Sequence, residues 1–231
     1  MLGTGLKMLP LLAAGLAFPA LAAEQPPSAA NMLAPYFEPA TLTPKAPDDD
    51  GFLQRWLLLE PIVKPNRSNT GFTATYVRAA FAQNYFPGQF TVVPHDGDKA
   101  AANPPLRWHA LDSRLFDVKL FNFAQALGKP TYGVIFWAVT IVNSPREIAK
   151  VRLAVGSNSA SMWWVNGKEA AGLFGDRRMV MDDVVSRPLT LHKGHNVIRG
   201  AVINGPGLSD FCVRFIDADG QPIRDITLSV K

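Results

Sequence analysis

Ser161-Met162-Trp163-Trp164-Val165-Asn166-Gly167-Lys168-Glu169-Ala170 decides the fold class. Asn166-Gly167 tolerates the positive φ angles of a two-residue type I′ turn, so this segment reads as a β-hairpin. On its N-terminal side, Lys150-Val151-Arg152-Leu153-Ala154-Val155 alternates with the period of a strand, and Gly156-Ser157-Asn158-Ser159 bends the chain. Earlier still, Tyr132 to Val142 is one long apolar run closed by Asn143-Ser144-Pro145. Its near-continuous apolarity predicts a central strand with both faces covered. On the C-terminal side, strands are predicted at Met179 to Met181, Pro188 to Leu191, Asn196 to Ile203, Asp210 to Phe215 and Asp225 to Val230. Lys193-Gly194, Asn204-Gly205-Pro206-Gly207 and Asp219-Gly220 supply the turns between them.

The N-terminal half is less regular. Phe52 to Leu59, stopped by Glu60-Pro61, reads as the first strand of the domain. Thr75 to Asn84 carries alanines and Gln83 in keeping with a short helix, and Phe116-Asp117-Val118-Lys119-Leu120 alternates like a strand. Residues 24–50 hold six prolines and end in Asp48-Asp49-Asp50-Gly51, which predicts an extended tether leading into the domain, packed against it through Tyr36 and Phe37. Residues 1–23 place Lys7 ahead of a short apolar core and end in Ala20, Ala22 and Ala23, the layout of a secretory signal peptide. The expected organisation is a signal peptide over 1–23, a proline-rich extension over 24–50 and one domain over 51–231. No later segment has the apolar length of a transmembrane helix, so the expected location is periplasmic or secreted.

Composition supports this picture. The 231 residues are 48% hydrophobic and 18% charged, too apolar for a disordered chain and too lightly charged for a long surface helix. Eighteen glycines and nineteen prolines cut the chain into short segments, as an all-β fold requires. A net charge of +4 without basic runs excludes a nucleic-acid groove. No fixed-period repeat points to a propeller or solenoid. The predicted fold is an all-β antiparallel β-sandwich of jelly-roll type with at most one or two short helices. The single cysteine, Cys212, lies in an apolar run and reads as a buried, unreactive thiol.

Several of these stretches together resemble galactose-binding-like jelly-roll modules of secreted bacterial carbohydrate-active proteins. The resemblance runs from Val151-Arg152-Leu153 through Gly156-Ser157-Asn158 to Trp164-Val165-Asn166-Gly167. It continues through Leu189 to Asn196 and Val197 to Ile203. Trp56 to Pro61 and Phe211 to Pro222 also fit, so it spans most of residues 52–226. The chain departs from that pattern at Trp163-Trp164, Asp176-Arg177-Arg178 and Asp182-Asp183. The resemblance implies a fold and a glycan-related setting, not an activity.

Candidate chemistry is sparse. Gly156-Ser157-Asn158-Ser159 lacks the strand-to-helix elbow of a serine hydrolase, and His192 and His195 flank a turn rather than one helical face. Asp96 with Asp98, Asp182 with Asp183 and Asp217 with Asp219 offer turn oxygens that a structural calcium ion can use, though each is also an ordinary turn device. Arg177 and Arg178 with Asp183 form either an ion-paired loop or a set of guanidinium forks for a carboxylate-bearing glycan. Adjacent Trp163 and Trp164 must point to opposite faces of a strand. Met162 shares the Trp164 face and Ser161 the Trp163 face, which predicts Trp164 in the core and Trp163 as an exposed stacking platform. Trp108 poses the same question beside His109. The expected ligand-binding set is therefore Trp163, Arg177, Arg178, Asp183 and Trp108, with no catalytic residues and no cofactor other than that calcium. The function expected is a secreted non-catalytic module binding carbohydrate or cell-envelope material. Two alternatives stand beside it: a structural or accessory subunit of an extracytoplasmic complex, with a protein partner, and a glycan hydrolase drawing a dispersed acid–base pair from Glu60, Asp96, Asp183 or Asp210.

Overall fold

The computed structural model describes residues 28–231, so the expected signal segment lies outside the described residues. The described residues form fourteen strands. The first seven are β1 (Phe37–Pro39), β2 (Arg55–Leu59), β3 (Ile62–Val63), β4 (Lys99–Ala100), β5 (Leu106–Ser113), β6 (Val134–Ser144) and β7 (Ile148–Ser157). The others are β8 (Ala160–Val165), β9 (Lys168–Leu173), β10 (Val184–Val185), β11 (Leu189–Leu191), β12 (Gly194–Asn204), β13 (Phe211–Ile216) and β14 (Thr227–Ser229). Three short helices, α1 (Ala29–Leu33), α2 (Ala74–Ala82) and α3 (Leu120–Ala126), accompany them. The described residues contain no helix long and apolar enough to cross a membrane.

All the pairings between strands are antiparallel. A ten-stranded sheet has the order β1-β5-β2-β6-β12-β8-β9, with β3 and β14 pairing β6 and β4 pairing β5. A four-stranded sheet is built around β7, which pairs β10, β11 and β13. The two sheets enclose one apolar layer, in which Trp56, Phe136, Trp163 and Val202 of the large sheet meet Leu153, Val155, Phe211 and Val213 of the small one. A second layer forms on the outer face of the large sheet. There Leu57, Trp137, Val139, Met162 and Ala201 are covered by Val77, Ala80 and Phe81 of α2 and by Phe86. Strand β6 lies between both layers, and its buried residues on alternate faces account for its unbroken apolarity.

The hairpin of β8 and β9 turns at Asn166 and Gly167, whose φ angles of 50° and 77° satisfy the turn read from the sequence. Helix α2 matches the helix expected there. Its N-cap Thr73 accepts from Tyr76 N at 3.3 Å, and Val77, Ala80 and Phe81 fall on one buried stripe.

Three expectations need correction. Residues 179–181 are loop, and the short strand lies at Val184–Val185 instead. The strand expected over 116–120 gives way to a single bridge at Val118 followed by α3, because Leu120, Phe123 and Ala124 recur at helical spacing and are all buried. The extension over 24–50 packs through Phe37 as expected, but it is not extended chain throughout, since it carries α1 and β1. β1 pairs β5, Phe37 is buried in the inter-sheet layer, and Lys45 bridges to Leu228. The anchor is Arg55, whose Nε and Nη2 donate to both Asp112 carboxylate oxygens at 2.7 and 2.9 Å while Nη1 donates to Thr43 O. A bidentate pair that also takes a carbonyl from the extension ties it to the sheet.

Gly200 of β12 lies opposite Trp163 of β8, and a Cβ on Gly200 would stand 2.3–2.6 Å from three atoms of the Trp163 indole. Replacing Gly200 with alanine should therefore destabilise the domain by about 1–3 kcal/mol through overpacking. The check is the denaturation midpoint of Gly200→Ala against wild type; equal midpoints would refute the contact.

Candidate functional site

The adjacent tryptophans separate as the strand pleat requires, but in the opposite sense to that expected. Trp163 is 0% exposed in the inter-sheet layer, edge-on to Trp56 at 5.9 Å and to Phe211 at 4.9 Å. Its Nε1–H donates to Ser161 Oγ at 3.0 Å. A buried indole needs an acceptor, so the serine that marked this face as polar is the group that lets Trp163 be buried. Trp163 is therefore not a platform. Trp164 lies half-buried on the outer face, stacked on Trp137 at 5.9 Å with an interplanar angle of 16°.

Next to Trp164, the segment after α2 folds back over the sheet. Gln89 is buried and holds it there. Its Nε2 donates to Phe81 O at 3.0 Å and Gln83 O at 2.7 Å, while its Oε1 accepts from Tyr85 N at 2.9 Å. Two of these bonds tie the loop to carbonyls at the helix end, and the third holds the backbone of the loop itself. Phe90 follows directly. It is 38% exposed, and its ring is held edge-on by Trp137 and Trp164, each at 5.3 Å. A shallow cavity of about 260 Å³ opens beside it, lined by Phe90, Thr91, Asn166, Gly167, Val197 and Arg199. Asn166 is occupied structurally: its Oδ1 accepts from Val197 N and its Nδ2 donates to Asn196 Oδ1, both at 2.9 Å. Arg199 is 4% exposed. Its Nη2 donates to Val92 O at 2.9 Å, and its Nη1 is buried without a partner. Burial lowers its pKa to about 10, which leaves the guanidinium charged at neutral pH.

The residues picked from sequence do not converge on this cavity. Trp108 is buried on the outer face under Phe86, whose ring meets it edge-on at 6.0 Å, so it offers no exposed surface. Arg177 and Asp183 pair with each other in the loop before β10, and Arg177 Nη1 donates to Phe174 O at 3.1 Å. Arg178 is exposed in the same loop. Sequence reasoning missed Phe90 and Arg199. A charged residue next to a glycine inside the apolar run Val197–Ile203 was the available signal, since a strand-interior glycine marks a close approach.

The aspartates considered for calcium are spent locally. Asp96 accepts from Ala110 N at 2.8 Å, Asp98 from His95 N at 2.7 Å, and Asp217 from Asp219 N and Gln221 N at 2.9 and 2.8 Å. Asp182 accepts from Arg214 Nε at 3.0 Å. Among the described residues, no three His, Cys, Asp or Glu side chains come together as a metal site. The carboxylates considered for acid–base chemistry are held at separate places: Glu60 by Lys129 and His109, Asp96 by Ala110 N, Asp183 by Arg177 and Asp210 by Lys119. His192 and His195 are both exposed, and His192 lies 3.8 Å from Glu147.

No protein-family profile matches the chain, and no curated protein matches it. Among solved structures, it is similar to the PA14 sugar-binding domain from an RTX adhesin, at 13% identity and a TM-score of 0.39 over 77% of this chain and 97% of that one. It is also similar to the PA14 domain of the antifreeze protein MpAFP, at 10% identity and a TM-score of 0.38 over 75% and 89% of the two chains. A GH31 alpha-xylosidase from Xanthomonas citri follows, at 7% identity and a TM-score of 0.28 over 82% of this chain and 17% of that one. At these values the likenesses carry no functional information, and the chemistry of the cavity has to supply it.

Two outcomes test this geometry. Trp163→Ala should cost about 3–5 kcal/mol as a truncated core aromatic, whereas Trp164→Ala should cost about 2 kcal/mol or less. Thermal melts of the pair decide it, and the reverse order would invert the faces. Burial pushes the Cys212 thiol up to about 12, so the native protein should resist a thiol-specific reagent at pH 8 and react on unfolding. Rapid modification of the folded protein would contradict that burial.

Proposed function

We propose that the protein is a carbohydrate-binding module that acts outside the cytoplasm, and that the cavity between Phe90 and the hairpin turn receives one sugar ring. The observation that carries this reading is the placement of Phe90. An exposed aromatic ring is held by two indoles at 5.3 Å each, and the loop beneath it is fixed by Gln89. Such a ring presents a flat apolar face whose orientation is set before the ligand arrives, so little ordering entropy is lost on contact. The cavity, at about 260 Å³, is smaller than the ~300–1,000 Å³ of drug-sized ligand pockets, which suits a single ring with the rest of a chain lying in solvent. The signal-type N-terminus supports an extracytoplasmic site of action.

Calorimetric titration against neutral, acidic and peptidoglycan-derived oligosaccharides tests the proposal. Wild type should bind at least one class, and Phe90→Ala should weaken that binding about tenfold while the protein stays folded. Folded protein that binds none of them, or a Phe90→Ala variant with undiminished affinity, would overturn it.

A further inference from the structure

We propose that Arg199 makes this cavity selective for a carboxylate-bearing sugar, with the guanidinium receiving the carboxylate of a uronate ring that stacks on Phe90. The inference rests on the carbohydrate reading of the site and goes beyond it by assigning the ligand a charge.

Residues 197, 199, 201 and 203 of β12 point to the outer face, where Ala201 and Ile203 lie in the second apolar layer. Arg199 occupies the same row, with Trp164 opposite it on β8 and Val139 opposite it on β6. An aliphatic residue would suit that row. A guanidinium there has been taken out of water, and desolvation of a charge is costly unless acceptors replace the lost hydration. The protein supplies one acceptor, Val92 O, and leaves Nη1 with none. Arg55, Arg177 and Arg214, by contrast, each meet a carboxylate: Asp112, Asp183 and Asp182 respectively. Arg199 is thus the enclosed arginine whose carboxylate the fold does not provide, and it lines the cavity that Phe90 walls.

The chemistry of the missing partner follows. A guanidinium takes planar carboxylates through two N–H donors, and burial strengthens such a pair because water does not screen it. Nη2 is already oriented by Val92 O, so the fork is held in place before any ligand arrives. Thr91 adds an exposed hydroxyl on the cavity wall for a ring hydroxyl. Phe90 supplies the face on which a pyranose stacks, so a sugar acid fits both halves of the cavity whereas a small carboxylate fills only one.

The experiment uses the full chain and measures affinity by calorimetry for matched neutral and uronate oligosaccharides of galacto, gluco and manno configuration, with acetate as a further probe. Wild type should prefer the uronate member of at least one pair about tenfold or more, and added salt should weaken that preference. Arg199→Met should abolish the preference while melting at or above the wild-type temperature, since a methionine meets the apolar row without desolvating a charge. Arg199→Lys keeps a charge without the fork and should fall between the two; it decides the matter should the methionine variant not fold. Equal affinity for neutral and uronate members in wild type overturns the assignment of charge and leaves the carbohydrate reading standing. Absence of binding to every oligosaccharide overturns both. A uronate preference that survives in both variants places charge selection elsewhere, and acetate binding as tight as the uronates refutes the sugar portion.

Discussion

Trp163 lying on Gly200 is the contact on which the rest of the molecule depends. The indole occupies the space that any side chain at Gly200 would fill, and it is closed in by Trp56 and Phe211 from either side of the inter-sheet layer. This pins the register of β8 against β12, because a slip of one residue would set the ring against the Arg199 or Ala201 position. It also settles the orientation of the hairpin. Once Trp163 faces inward, Trp164 must face outward, and the outer face acquires an aromatic surface beside β6 and β12.

That outer surface is completed from a distant part of the chain. The loop after α2 lies over β6, β8 and β12, and Gln89 fastens it to the helix end while Phe90 packs edge-on against the stacked rings of Trp137 and Trp164. The covering is incomplete at the hairpin turn, where the cavity opens and Arg199 borders it. A buried charge with an unmet donor is a feature that a core would otherwise avoid, and its position next to a rigid, exposed aromatic ring gives the cavity both of its chemical halves. Gln89 fastens the loop that carries Phe90. The loop is tied by side-chain hydrogen bonds, not by sheet pairing.

Elsewhere the chain closes its charges on itself. Arg55 and Asp112 form a buried bidentate pair that carries the proline-rich extension into the sheet through Thr43. Lys119 joins Asp117 and Asp210 at the start of α3, at 2.7 and 3.3 Å. Burial raises the Asp210 pKa, and the ammonium works against that shift. These contacts stitch segments far apart in sequence, whereas on the outer face Arg199 Nη1 and Trp137 Nε1 are both buried without a partner.

The all-β class, the hairpin turn, the doubly covered strand β6, helix α2 and the buried cysteine were legible in the sequence because each follows from local periodicity or from a residue with restricted backbone angles. Asn166-Gly167 can make few other turns, and the run Val134–Val142, apolar but for Thr140, fits a strand covered on both faces. The inward face of Trp163, the burial of Trp108, the helix after Val118, the strand in the extension and the convergence of Phe90 with Arg199 were decided by tertiary structure. Adjacent tryptophans on a strand always oppose each other, but which one is buried depends on the partner strand, and the partner that matters, Gly200, lies 37 positions away from Trp163. Phe90 and Arg199 are farther apart still. Local pattern sets which side chains share a face; only the pairing of strands and the covering of that face decide what they meet.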